Sequence, residues 1–360
     1  MNQAARVMIC DDSAVIRAAL ARMMEGQSDI AVVAKIANGE FALAEMRRQF
    51  QAGTPIDVIV LDIEMPVLDG MRALPMLLKI DPSVRIIMAS TLTTRGADIA
   101  LQALRLGAAD YLPKPGTADI ADDSFRRDLV AKITGLARLR SRRTQPAGPR
   151  PIAAALRPLS RQTPKLLAIG SSTGGPQALF TLVQALGANF PVPVVLTQHM
   201  PPTFTPILAE HLTRLGGMKC AEAVDGQALV AGHIHLAPGD RHLLVQGSAT
   251  GLVARVTSDP PENFCRPAVD PMLRTASAAC DGRVLVVMLT GMGQDGLLGT
   301  RAIVEAGGAA IAQDEASSVV WGMPGAIARA GLCHQILPLP AIAARVREIF
   351  QSAPIRRTAS

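Results

Sequence analysis

A serine, a histidine and an aspartate in the second half of the chain each follow a run of apolar, β-favouring residues. Ser172 comes after Lys165-Leu-Leu-Ala-Ile-Gly, His199 after Val192-Pro-Val-Val-Leu-Thr-Gln, and Asp295 after Val284-Leu-Val-Val-Met-Leu-Thr-Gly-Met-Gly-Gln. Continuous apolar runs of this kind read as buried parallel strands, and ligands in open parallel sheets bind just past the carboxyl ends of the strands. The three side chains therefore leave one edge of one sheet. A hydroxyl, an imidazole and a carboxylate so placed can act as nucleophile, base and the group that orients the base. Gly170-Ser-Ser-Thr-Gly174 has the Gly-x-Ser-x-Gly spacing of a strand-to-helix turn that exposes its serine. Gly175-Pro176 opens a predicted helix, 177–186, whose first amides would face an oxyanion formed beside Ser172. Thr290-Gly-Met-Gly-Gln-Asp-Gly296 is a tight turn that carries the carboxylate and brings a backbone N–H near the reacting carbonyl. Its plain alternative is a helix cap.

The other histidines compete poorly for the base. His233 and His235 lie two apart in Gly232-His-Ile-His-Leu, which reads as a surface strand with no acid or cysteine at metal-ligand spacing. His211 falls in a predicted helix, and His242 and His334 in polar turns.

The first third of the chain shows the same habit of polar residues at strand ends. Predicted strands are Arg6–Cys10, Ile30–Ala37, Asp57–Leu61, Arg85–Ser90 and Asp110–Leu112, with helices near 14–25, 40–50, 71–79, 97–106 and 124–140. Five βα units of this length predict a doubly wound α/β domain. Asp11 and Asp12 follow the first strand, Asp62 the third, Thr91 the fourth and Lys114 the fifth. Three carboxylates at one edge repel unless a cation sits among them, and oxygen ligands alone suit Mg²⁺. A phosphoryl group on Asp62 could then be held by the Thr91 hydroxyl and the Lys114 ammonium. Asp12 or Ser13 would otherwise cap the following helix.

Between the two units lie seven arginines from Arg138 to Arg161, five prolines from Pro146 to Pro164, and no Asp or Glu from Leu129 to Ala209. This reads as a solvated, semi-stiff linker, so the net charge of +6 does not point to nucleic acid. The organisation expected is 4–122, 123–163 (helix end and linker), 164–350, and a disordered tail 351–360. Aromatics are 3% and the apolar class 49%, which predicts aliphatic cores. The five cysteines are scattered and odd in number, which fits a reduced, cytoplasmic setting. No signal peptide precedes the first strand and no apolar run is long enough to span a bilayer, so no membrane insertion is expected.

Asp11-Asp12-Ser13, Leu61-Asp-Ile-Glu-Met-Pro-Val-Leu-Asp-Gly70, Ser90-Thr91 and Lys114-Pro115 resemble a response-regulator receiver domain of flavodoxin-like fold. The resemblance makes Asp62 the phosphoacceptor and gives Mg²⁺ the ligands Asp11, Asp12 and Asp62. It makes Thr91 and Lys114 the readers of the phosphoryl group, and Tyr111 the aromatic switch. In the second unit the chain order Ser, His, Asp is not that of the α/β-hydrolases, chymotrypsin or subtilisin. Gly170-Ser-Ser-Thr-Gly-Gly175, Thr197-Gln-His-Met-Pro-Pro202, Ala237-Pro-Gly-Asp-Arg-His242, Thr290–Gly296, Ala312-Gln-Asp-Glu-Ala-Ser317 and Gly322-Met-Pro-Gly325 together resemble the CheB family of chemotaxis methylesterases. That implies a second doubly wound α/β domain with a largely parallel sheet and no cofactor. It implies a phosphorylation-activated serine esterase acting on glutamate methyl esters of methyl-accepting chemotaxis receptors, with deamidation of receptor glutamines by the same route. The Met292 N–H would be the oxyanion donor and a chemotaxis histidine kinase the phosphodonor. In such proteins the unphosphorylated receiver covers the cleft. Cys265-Arg-Pro-Ala268 stands where the family often has His-Arg-Pro-Ser, a departure expected to bear on substrate positioning. A non-catalytic, receptor-binding adaptor is the alternative reading.

Overall fold

The computed structural model describes residues 4–91, 93–114, 123–144, 156–159 and 162–351, with the backbone alone at 123, 124 and 141–144. Pro115, the proline-rich stretch 145–155, residues 160 and 161 and the tail 352–360 lie outside the described residues. The chain divides into two compact units, Met1–Arg150 and Pro151–Ser360.

In the first unit β1 (Ala5–Cys10), β2 (Ile30–Ile36), β3 (Val58–Asp62), β4 (Arg85–Ser90) and β5 (Asp110–Pro113) alternate with α1 (Ala14–Met24), α2 (Gly39–Gln51), α3 (Gly70–Ile80), α4 (Thr94–Arg105) and α5 (Asp123–Thr144). The strands pair in parallel in the order β2-β1-β3-β4-β5. This is the flavodoxin-like order, whose switch point lies between β1 and β3. Asp11 therefore leaves the sheet beside Asp62. Side-chain oxygens start the helices where the sequence offers them: Ser13, Asn38, Asp69 and Thr93 cap α1 to α4.

The second unit holds β6 (Leu166–Ser171), α6 (Gly175–Leu186), β7 (Val194–Gln198), α7 (Thr205–Gly216), β8 (Lys219–Glu222) and β9 (His233–Leu236). A hairpin, β10 (His242–Ser248) and β11 (Gly251–Thr257), follows. Then come α8 (Val269–Ala279), β12 (Val284–Met288), α9 (Leu297–Glu305), β13 (Ala309–Gln313), α10 (Met323–Arg329), β14 (Gln335–Leu337) and α11 (Leu339–Gln351). Seven strands form one sheet in the order β14-β13-β12-β6-β7-β9-β8, and every pairing in it is parallel. Its central strands β6, β7 and β12 are buried from end to end, as sheets covered on both faces by crossover helices must be. Gly174 makes the turn into α6 at φ +73, where a side chain would be strained.

Two expectations fail here. The His233–His235 segment is not a surface strand: β9 lies between β7 and β8, and His235 is buried. Its Nε2 accepts the Val230 N–H. Burial and the neighbouring His233 push its basicity down to about 4, so it is a neutral core group. The arginine-rich stretch is not wholly a solvated linker either. Helix α5 runs on to Thr144, and Arg140 is buried against Asp81 (2.8 Å), Asp57 (3.2 Å) and the Ile56 carbonyl. Further on, Arg157 donates its backbone N–H to the Cys333 carbonyl (2.9 Å) and its Nε to the Gly331 carbonyl (3.0 Å), fastening that residue to the second unit.

Arg140 ties α5 to the segments that precede β3 and β4, and its removal strands a buried Asp81 carboxylate. An Arg140→Met variant should lose about 3–5 kcal/mol of stability in the first unit. Urea unfolding followed by hydrogen exchange of β3 and β4 amides would show a loss under 1 kcal/mol if this anchor were dispensable.

Candidate active site and phosphoacceptor site

Neighbouring strands deliver the three hydrolytic candidates. Gly170 pairs with Thr197 and Ser171 with Gln198, while Met288 of β12 pairs with Gly170 on the other side. Ser172 and His199 are thus the first residues past two adjacent strand ends, and the His199 N–H donates to the Ser171 carbonyl (3.1 Å). Gln198 stitches the two ends together. It accepts from Ser171 Oγ (2.7 Å) and donates to the Ser172 and His199 carbonyls (both 3.0 Å). The loop after β12 is pressed onto Ser172: a Cβ on Gly291 would stand 2.9 Å from Ser172 Cβ and 2.4 Å from Met323 Sδ. Only glycine fits there. Thr290 pins this loop, accepting from Val320 N–H and donating to the Thr173 carbonyl (2.9 Å), while Gln313 Oε1 takes the Thr290 N–H (2.8 Å). The Met292 N–H has no protein acceptor among the described residues.

Asp295 is buried, and its carboxylate is surrounded by donors. Oδ2 accepts from His199 Nε2 (2.8 Å) and the Val269 N–H (2.6 Å). Oδ1 accepts from Asn263 Nδ2 (2.9 Å) and from the Asp270 and Gly296 amides (3.0 and 2.9 Å). Val269 and Asp270 open α8, whose own N-cap position is Ala268 and supplies no side-chain cap. Asp295 fills that role from a neighbouring loop. In return Asp270 Oδ1 accepts the Gly299 N–H (2.7 Å) in the first turn of α9. Burial opposes charge on Asp295, yet His199 and the amides of Val269 and Asp270 hold its carboxyl below the ordinary range. Burial dominates at Asp270, whose carboxyl is raised.

The imidazole is oriented, but not yet toward serine. Its Nε2 is committed to Asp295, and its Nδ1 lies 3.5 Å from Cys265 Sγ. The Ser172 hydroxyl has no hydrogen-bond partner among the described residues. The structure therefore joins His199 to Asp295 and leaves the serine–histidine link open. Catalytic contacts commonly tighten only with substrate bound. The Cys265 departure touches the His199 imidazole itself: the thiol lies against Nδ1, the ring nitrogen not engaged by Asp295. Burial disfavours the charged ring, but hydrogen bonds to Asp295 and Cys265 outweigh it and raise His199 to about 10. The stability that this pairing contributes is complete below pH about 6.5 and is lost as pH rises through about 10.

At the other sheet the ligand oxygens of Asp11, Asp12 and Asp62 lie within 4.8 Å of one another. Lys114 Nζ stands 2.7 Å from Asp62 Oδ2 and 3.2 Å from Asp11 Oδ2. These two buried oxygens find no other partner. Burial, with Asp11 adding to it and Lys114 opposing, raises the Asp62 carboxyl to about 6. An all-oxygen donor set with spare lone pairs fits Mg²⁺. Asp11 Oδ1 takes the Ser13 N–H (2.9 Å), which fixes one carboxylate for that role. Thr91 is exposed and shares a hydroxyl contact with Thr93 (3.2 Å). Tyr111 is buried, with the Lys132 ammonium 5.1 Å from its ring centre.

Sequence reasoning missed Gln198, Asn263 and the partnership of Cys265 with His199. Gln198 stood beside His199 and could have been found; the other two come from a turn far from any apolar strand.

The His199–Asp295 pair sets the sign of the pH response. A small-ester kcat/KM should rise with pH through neutrality, since the base form is the deprotonated ring. Asp295→Asn should move that limb to lower pH while lowering its plateau by roughly 10³–10⁴-fold. A limb left in place in the variant would contradict the pairing.

Models of two families match the chain: the response regulator receiver domain over residues 7–122 and CheB methylesterase over residues 167–346. A protein-glutamate methylesterase/protein-glutamine glutaminase of Paramagnetospirillum magneticum is 51% identical, the match covering 94% of each chain. One from Azospirillum brasilense is also 51% identical, over 97% of this chain and 93% of its own. The crystal structure of the Thermotoga maritima CheB methylesterase catalytic domain is 37% identical, with a TM-score of 0.51, over 52% of this chain and 100% of that one.

Proposed function

The chain belongs to the CheB methylesterase family, carrying a receiver domain ahead of the esterase, and from this we propose that Ser172, His199 and Asp295 are its catalytic groups. It is a phosphorylation-activated protein-glutamate methylesterase and protein-glutamine glutaminase of chemotaxis adaptation. The observation that carries the residue assignment is the partly buried His199–Asp295 pair, with His199 and Ser172 at neighbouring strand ends.

In the proposed cycle His199 Nδ1 turns from Cys265 to the Ser172 hydroxyl and takes its proton as Oγ attacks the glutamyl ester carbonyl. The Met292 N–H donates to the resulting oxyanion. Asp295 holds the ring tautomer through Nε2 and stabilises the imidazolium. The imidazolium then protonates the departing methoxy oxygen, and methanol leaves a glutamyl ester on Ser172. Water attacks that ester, its proton passing to His199, and the free glutamate and the serine are regenerated. With a glutamine the same steps release ammonia.

The receiver implies Mg²⁺-dependent phosphorylation by a phosphodonor kinase, and the esterase implies chemoreceptor substrates. We assign the phosphoacceptor role to Asp62 and the metal to Asp11, Asp12 and Asp62, with Lys114 and Thr91 reading the phosphoryl group and Tyr111 as the switch. Bound Mg²⁺ would neutralise the charge gathered between the carboxylates and the incoming phosphoryl oxygens. The esterase residues need no metal, methylated receptors are the substrates, and the chemotaxis histidine kinase is the phosphodonor. A cytoplasmic setting suits five free cysteines and the absence, among the described residues, of any helix long and apolar enough to cross a membrane.

Two measurements test this. Ser172→Ala and His199→Ala should each reduce methanol release from methylated receptor by several orders of magnitude, and the double variant little further; additive losses would refute a shared mechanism, and retained release would favour the adaptor. Acetyl phosphate with Mg²⁺ should add one phosphoryl group to the wild type and none to Asp62→Asn, read by intact mass. Equal uptake would reject Asp62.

A further inference from the structure

One turn beside the His199–Asp295 pair carries, at Phe264, a strained backbone whose side chain is left exposed. Glu262 and Cys265 exchange both backbone hydrogen bonds (3.1 and 2.8 Å), closing a two-residue loop over Asn263 and Phe264. Both loop residues have positive φ, +52 and +63. That is the pattern of a type I′ turn, in which Asn suits the first position and Gly the second. Here the second position is Phe, a bulky residue in a region that such side chains avoid. The residue is 93% exposed. The chain thus combines strained backbone with a large apolar side chain in water.

The other residues of the turn all have partners: Asn263 and Cys265 face the His199–Asp295 pair, and Glu262 lies at the surface. Asn263 Nδ2 donates to Asp295 Oδ1 (2.9 Å) and Asp270 Oδ2 (3.0 Å). Cys265 Sγ meets His199 Nδ1 (3.5 Å). Glu262 holds Arg274 in a bidentate pair (2.8 and 2.5 Å). The turn is therefore fixed to the base and its carboxylate, and Phe264 is the side chain it directs to solvent next to them. Strain kept at a functional site calls for a role in function.

We propose that Phe264 is a substrate-anchoring residue: it packs against an apolar side chain in the protein segment that flanks the esterified glutamate and so seats the ester over Ser172. This rests on the esterase reading above. It makes the enzyme selective for esters embedded in a folded, partly apolar protein surface over free small esters. A rigidly presented aromatic in a rim of polar groups is how binding energy is commonly concentrated.

The test uses the full chain, phosphorylated with acetyl phosphate and Mg²⁺, and compares wild type with Phe264→Gly and Phe264→Leu. Methanol release from methylated receptor and hydrolysis of p-nitrophenyl acetate are measured side by side. Phe264→Gly should raise KM for the receptor about tenfold with kcat within about twofold, and leave small-ester turnover unchanged. Phe264→Leu should recover most of the KM. Because glycine relieves the backbone, the glycine variant's Tm should equal or exceed that of the wild type, which separates lost docking from lost folding. An unchanged receptor KM in Phe264→Gly overturns the anchor, as does an equal loss on both substrates. Failure of the wild type itself to hydrolyse either ester would instead overturn the esterase reading.

Discussion

The buried charge of Asp295 is the constraint around which the second unit is arranged. A carboxylate withdrawn from water is stable only when its lone pairs are fully engaged, and this one accepts from three backbone amides, an asparagine and the His199 imidazole. These five donors come from four places in the chain: the residue after β7, the 262–265 turn, the start of α8, which gives two of the amides, and the loop itself. Satisfying one side chain therefore fixes the relative placement of the base, the turn that carries Cys265, and two helices. The reciprocal contact from Asp270 to α9 completes the arrangement.

The receiver meets an analogous difficulty by a different route. Asp62 and Asp11 are buried with Lys114 as their shared counter-charge, and they keep unused lone pairs. Asp62 is accordingly raised to about 6 while Asp295 is lowered. The carboxyl of the first unit is left under-satisfied, whereas that of the second is saturated with donors. Both sit where parallel strands end, one sheet order switching between β1 and β3 and the other built outward from β6.

The sequence exposes whatever depends on strand ends. Ser172, His199, Asp62 and Lys114 could be placed because long apolar runs announce buried strands, and the residue that follows such a run must emerge at an edge. The parallel sheets and the helix of 177–186 were legible for the same reason. What could not be read depends on contacts between distant segments. Asn263 and Cys265 approach the active pair from a turn with no periodicity. Arg140 looked like one of many linker arginines until its partners, Asp57 and Asp81, were placed beneath the receiver sheet. The histidines of β9 misled because alternation suggests one wet face, whereas a strand inside a parallel sheet is covered on both. The open Ser172–His199 link was equally hidden, since spacing fixes which residues meet at an edge but not the rotamers they adopt.

Asp295 serves α8 as its missing N-terminal cap, and that duty does not depend on turnover. A lineage that abandoned ester hydrolysis and kept the fold would be free to drift at Ser172 and His199, while losing the acid would still uncap a helix and strand several amides. Among descendants of this architecture, then, an aspartate at that position is a mark of ancestry and intact folding. A sequence that retains only the aspartate therefore retains the requirement of the scaffold.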